Sequence, residues 1–288
     1  MLPSWFLLAA VCAAAYALEG VWVKRLRGRF RPEFLGWVAA TLTLPVLGTA
    51  LYLQGWPEIK PGFYFALAMT VLGNTVGIIC FFRALSLGEL SVVYPLLALS
   101  PAWMLLSTRL ITGEFPSRAG LAGVLLCTGG CYALGLDKGG LLSPLRNLWN
   151  DAGGRYALLT SVIWSVTSNF DKKAVETSSA MFYPAAHGIG LSLSLYLLTV
   201  RRCTDEFRLL ASWDGAWRIG VLTLIICVLV VSQFFAVDLA QATYVIAVKR
   251  SGMVLAVLLG WLLYKEPYGP RRLGLSLLVL AGLLLMLK

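Results

Sequence analysis

The sequence predicts an all-α integral membrane protein, with ten transmembrane helices arranged as two inverted-topology repeats of five. Three observations carry that expectation. Hydrophobic residues make up 59% of the 288 positions and charged residues 13%, where a soluble domain has about 45–50% and about 25%. The chain divides into ten continuous apolar runs, each near the ~20 residues that a helix needs to cross a hydrocarbon core of ~30 Å. Finally, the order and spacing of motifs in the first five runs recur in the last five.

The first run, 4–23, ends in a basic cluster of Lys24, Arg25, Arg27, Arg29 and Arg31. Ala15-Tyr16-Ala17 mimics a signal-peptide cleavage site, but no Lys or Arg precedes the apolar stretch, so the segment reads as a retained helix. Runs 34–53 and 63–82 follow, the second carrying Gly73, Asn74 and Gly77 in a Gly-x-x-x-Gly spacing that favours close helix packing. Runs 91–110 and 119–136 are separated by Gly113-Glu114 and Pro116, a carboxylate and a proline suited to a helix N-terminus. The longest connection contains Gly139-Gly140 and Gly153-Gly154 and divides the chain at its midpoint. Residues 1–137 then form the first repeat, 138–155 the connecting loop and 156–288 the second repeat. The second repeat supplies runs 156–171, 183–200, 217–236, 243–263 and 273–287, with Glu266-Pro267 before the last. Continuous rather than alternating apolarity disfavours a β-barrel. The six cysteines are scattered, so neither a disulfide framework nor a metal site is expected.

At an offset of 153, Phe81-Phe82 falls on Phe234-Phe235 and Ser91-Val92-Val93 on Tyr244-Val245-Ile246; after a one-residue slip, Gly113-Glu114 falls on Lys265-Glu266. At an offset of 148, Tyr16 falls on Trp164 and Lys24-Arg25 on Lys172-Lys173. Five helices per copy is an odd number, so the second copy crosses the membrane in the opposite sense. Such repeats place a binding site near the midplane, where the halves meet.

These motifs resemble the drug/metabolite transporter superfamily, specifically its EamA-type members: an aromatic-containing first helix ending in a basic pair, a small-residue loop before the fourth helix, and a Gly-Glu or Lys-Glu closing it. The resemblance covers essentially the whole chain. It implies a transporter with both termini in the cytoplasm. Charge points the other way. Sixteen of the 24 Lys and Arg lie in connections after odd-numbered spans and six in even-numbered connections and at the termini, which puts the odd connections inside and both termini outside.

Lys249 and Arg250 lie about six residues into the ninth run, roughly 9 Å along the helix. Each such cation costs at least ~2.5–3.5 kcal/mol at a helix centre. The pair therefore reads as lining a water-filled cavity that receives an anion, Arg gripping it bidentately and Lys as a point charge. Val248-Lys249-Arg250 is similar to the Val-Lys-Arg of the triose-phosphate/phosphate translocators, where the basic pair holds the substrate phosphate; the fourth-helix lysine of those relatives is missing from Val92–Trp103. Tyr94, Trp164 and Asn169 are further candidates for the cavity wall. Asp238, Gln241 and Glu19 are candidates for charge balance or proton coupling. The only histidine, His187, reads as a satisfied polar group.

No Gly-x-x-x-x-Gly-Lys-[Ser/Thr] phosphate loop is present, and no cofactor is expected. The reading is a secondary transporter of a small, anionic organic metabolite in a bacterial cytoplasmic membrane, working by alternating access and coupled to a proton or a counter-substrate. The alternatives are a lipid or glycolipid-phosphate flippase and an exporter of cationic drugs, the latter opposed by the basic pair. An enzyme would need clustered His, Asp or Glu at a membrane edge. Nucleic acid is not expected as a partner.

Overall fold

The fold comes from a computed structural model, which describes residues 3–26, 28–87, 93, 96–134, 151–264 and 270–286. Tyr94, Lys265, Glu266 and most of the 138–155 connection lie outside them. The helices are α1 (Ser4–Leu26), α2 (Pro32–Leu42), α3 (Leu44–Gln54), α4 (Phe63–Leu87), α5 (Ser100–Ile111) and α6 (Arg118–Leu134). The second half supplies α7 (Ala152–Glu176), α8 (Phe182–Leu198), α9 (Thr204–Leu210), α10 (Trp213–Leu239), α11 (Ala242–Tyr264) and α12 (Pro270–Leu285). Helix makes up most of the described part of each of the ten apolar runs; in the fourth, Ala98-Leu99 form a turn before α5.

Four described stretches are long and apolar enough to cross a bilayer by composition alone: Ser4–Val23, Pro32–Gln54, Phe63–Ala84 and Trp213–Leu239. The long helix α7 departs from that pattern because its inward face is polar. Thr160, Ser161, Ser165, Thr167, Ser168, Asn169 and Asp171 are all buried, which is the arrangement of a helix solvated by its own bundle.

Two local differences from the expected spans have clear causes. The second run is not one helix but two, broken at Thr43. Pro45 sits in the first turn of α3, and its ring denies the Thr41 carbonyl its i+4 donor. Thr43 compensates nearby, donating from Oγ1 to the carbonyls of Ala39 and Ala40 at 3.1 Å each. The sixth run starts earlier than 156, because Asp151 caps α7 by accepting from the backbone N–H of Gly153 and Gly154 at 3.0 Å. A good N-cap outweighs the helix penalty of two glycines.

The packing has the form of a two-fold exchange of halves. Span three (α4) lies along span six (α7), and its counterpart pair, span eight (α10) and span one (α1), packs the same way. The broken span two lies along span seven (α8), and span five (α6) along span ten (α12). Two close approaches depend on absent side chains. A Cβ on Gly252 of α11 would collide with the backbone carbonyl of Ala13 in α1. One on Gly77 of α4 would come 2.7 Å from the indole nitrogen of Trp164 in α7, which makes the Gly73–Gly77 stripe a packing surface.

Candidate functional site

Where the halves meet, eight helices surround a cavity of about 190 Å³. One wall is basic. Lys249 and Arg250, consecutive on α11, both line it, but their surroundings differ. The Lys249 ammonium donates to Gln233 Oε1 of α10 at 2.6 Å and lies 5.6 Å from the centre of the Tyr16 ring. No carboxylate comes within ion-pair distance of it among the described residues.

Arg250 is only 4% exposed. Its Nε donates to Ser100 Oγ of α5 at 3.0 Å and its Nη1 to the Tyr16 hydroxyl at 2.7 Å. Two aromatic rings lie against the guanidinium: its carbon is 5.1 Å from the Tyr16 ring centre and 5.1 Å from that of Trp164. Tyr16 and Trp164 are the two positions that the 148-residue offset superposes. The repeat thus delivers one aromatic from each half to the same cation, a placement that favours charge in a dry site.

Elsewhere the lining is mostly apolar, with a few polar and acidic groups set into it. Glu19 lines the cavity one helical turn beyond Tyr16 on α1, and Asp171 of α7 lines it while accepting a hydrogen bond from the hydroxyl of Tyr183. Thr167 Oγ1 donates to Asn74 Oδ1 at 3.0 Å, which orients that amide. The Asn74 nitrogen therefore donates to His187 Nε2 at 3.1 Å, leaving the imidazole proton on Nδ1. Phe81, Phe82 and Phe234 also line the cavity; Phe81 and Phe234 are related by the repeat.

The structure thus gathers Lys249, Arg250, Trp164 and Glu19 around one space. Asn169 is elsewhere. It points between α5 and α7, accepting from Thr108 Oγ1 at 2.7 Å and donating to Ser107 Oγ at 2.8 Å, because a 100° step from Ser168 turns it off the cavity face. Asp238 is exposed at the end of α10. Gln241 lies in the two-residue break before α11, and neither residue lines the cavity. Glu114 does not sit in the first turn of α6, which begins at Arg118. Its carboxylate instead pairs with Lys172 Nζ at 3.3 Å.

Sequence reasoning missed Asp171 and Gln233. An intramembrane carboxylate is a functional candidate by default, so Asp171 was open to discovery. Gln233 gave no comparable signal. Cys127 and Cys131, four residues apart and so on one face of α6, donate their thiols to the carbonyls of Ala247 and Arg250.

Comparison with known proteins agrees with this architecture. The EamA-like transporter family model matches twice, over residues 3–136 and 152–288. A solved structure described only as "Crystal structure of protein" shares the fold with a TM-score of 0.74 at 16% identity, covering 99% of this chain and 98% of that one. No curated protein sequence matches. With both halves of the chain matched by one family model, and ten helical spans packed as two exchanged repeats, this protein belongs to the EamA-like transporter family, whose members are membrane transporters of small solutes.

Proposed function

We propose that this protein is a secondary transporter that moves a small organic anion, carrying a carboxylate or a phosphate, across a bacterial cytoplasmic membrane by alternating access. One observation supports the charge assignment above the others: Lys249 holds its ammonium in the cavity between the helices against a neutral acceptor, Gln233. A half-buried cation without a directly paired carboxylate is costly among apolar helices, and an incoming anion lowers that cost. The run Val248-Lys249-Arg250 is similar to the phosphate-holding motif of the triose-phosphate/phosphate translocators and supports the same class. Glu19 and Asp171, which line the same cavity, supply the negative charge that a coupled proton or a counter-substrate would balance.

The test is a thermal-shift screen of the protein in detergent against phosphorylated sugars, dicarboxylates, amino acids and quaternary ammonium compounds. Binding to the folded state raises the melting temperature by mass action. Stabilisation by the anionic compounds, lost in Lys249→Ala, is the expected result. A shift produced by cations or neutral solutes alone would sink the anion assignment.

A further inference from the structure

The charge of the site depends on a residue that carries none. Gln233 lies on α10, nine-tenths buried, and lines the cavity beside Lys249. Its carbonyl oxygen accepts from Nζ at 2.6 Å, while its amide nitrogen makes no hydrogen bond among the described residues. Among the described residues the other close contact of Lys249 is the Tyr16 ring face, while Glu19 and Asp171 act on it through space across the cavity rather than by direct ion pairs. Gln and Glu are nearly the same size, so the pocket offers a carboxylate the same seat. At that distance a carboxylate would pair with the ammonium in a low-dielectric environment. The repeat gives no equivalent, since the position 153 residues earlier is Cys80.

Resting on the anion reading, we propose that Gln233 is the positioning residue that sets the charge selectivity of this transporter. It fixes the Lys249 ammonium toward the cavity with a neutral acceptor and so leaves its positive charge to the solute. The unbonded amide N–H₂ of Gln233 is a second donor beside the ammonium, and the two together form a compact seat for a carboxylate or phosphate oxygen.

Three variants test this against the wild type: Gln233→Glu, Lys249→Gln, and the exchange Gln233→Lys with Lys249→Gln. The exchange reverses donor and acceptor across the 2.6 Å contact and keeps one positive charge in the same place. The readout is the thermal shift produced by inorganic phosphate and by succinate, with tetramethylammonium as the cation control, on material that elutes as a single peak in detergent. Wild type is stabilised by at least one of the two anions. Gln233→Glu binds that anion more weakly by roughly tenfold or more, because an internal carboxylate competes for the ammonium. Lys249→Gln loses the response, and the exchange restores it. A purely structural role for Gln233 predicts no restoration. A wild type that responds while Gln233→Glu responds equally, or a folded exchange variant that stays silent, overturns the Gln233 assignment alone. A wild type unmoved by either anion overturns the anion reading, and the Gln233 assignment falls with it.

Discussion

Lys249 and Arg250 are neighbours on one helix, yet a step of about 100° between them sends one toward a neutral amide and the other into an aromatic clamp. The clamp makes a residue-level prediction. Tyr16→Phe keeps the ring face 5.1 Å from the guanidinium and removes the hydroxyl that accepts from Nη1. The expected loss is about 1.5–3 kcal/mol of stability, the worth of a hydrogen bond to a charged donor. Tyr16→Ala removes the ring as well, adding about 0.5–2 kcal/mol for the cation–π contact and a cavity term. Unfolding monitored by intrinsic fluorescence in detergent checks the order, and equal losses for the two variants would deny the ring any part in holding Arg250. The cation pair was legible in the sequence because charge is rare inside a membrane and stands out. Gln233 was not, because one amide in an apolar run is a weak signal until its partner is known. Asn169 misled for a related reason. Polar residues follow one another so closely on α7 that periodicity does not separate the cavity face from the face turned to α5.

Helices were legible wherever apolar length decided them, and less so wherever a single residue did. Pro45 splits the second span, and Asp151 starts the sixth before its glycines have ended. Both are local effects that overrule a hydropathy window. The crossing of α1 and α11 depends likewise on one position. Gly252 lets the backbones approach until a Cβ there would meet the Ala13 carbonyl, a group of the main chain that has no rotamer to yield. Gly252→Val is therefore expected to cost about 1–3 kcal/mol or more through overpacking. By contrast, a Cβ at Gly220 on α10 has nothing within 4 Å, so Gly220→Ala should be close to neutral or gain slightly from helix propensity. Melting temperatures of the two variants, measured side by side, decide the point; similar values would mean that α1 and α11 have room to separate.

The exchange of halves also governs how the whole molecule closes. Lys172, at the end of α7 with its side chain 8% exposed, bonds simultaneously to three connections or helix ends. Its Nζ pairs with Glu114 at 3.3 Å and Glu176 at 3.5 Å, and donates to the carbonyl of Ala240 at 3.0 Å. All three partners belong to the end of the bundle that bears the even-numbered connections. The preceding residue, Asp171, lines the cavity, so the last turns of α7 carry both a cavity wall and the fastening of that end. In the sequence the Lys172-Lys173 pair was visible only as a repeat of Lys24-Arg25, because an ion pair between distant segments leaves no periodic trace. The proposed alternating-access cycle requires this fastening to release whenever the cavity opens toward that end. Lys172→Met keeps the length of the side chain and removes the charge. If the closed arrangement loses about 1.4 kcal/mol, the population open at that end rises roughly tenfold. A cysteine placed at Ser168, on the cavity face of α7, reports the opening through its labelling rate with a membrane-impermeant maleimide added from that side, measured against the same protein with Ser168 intact. Faster labelling in Lys172→Met is the expected outcome. An unchanged rate in a folded variant would make the Lys172 cluster a fixed part of the scaffold and would move the opening of that end to the aromatic cluster of Phe63, Tyr183 and Phe234 beneath it.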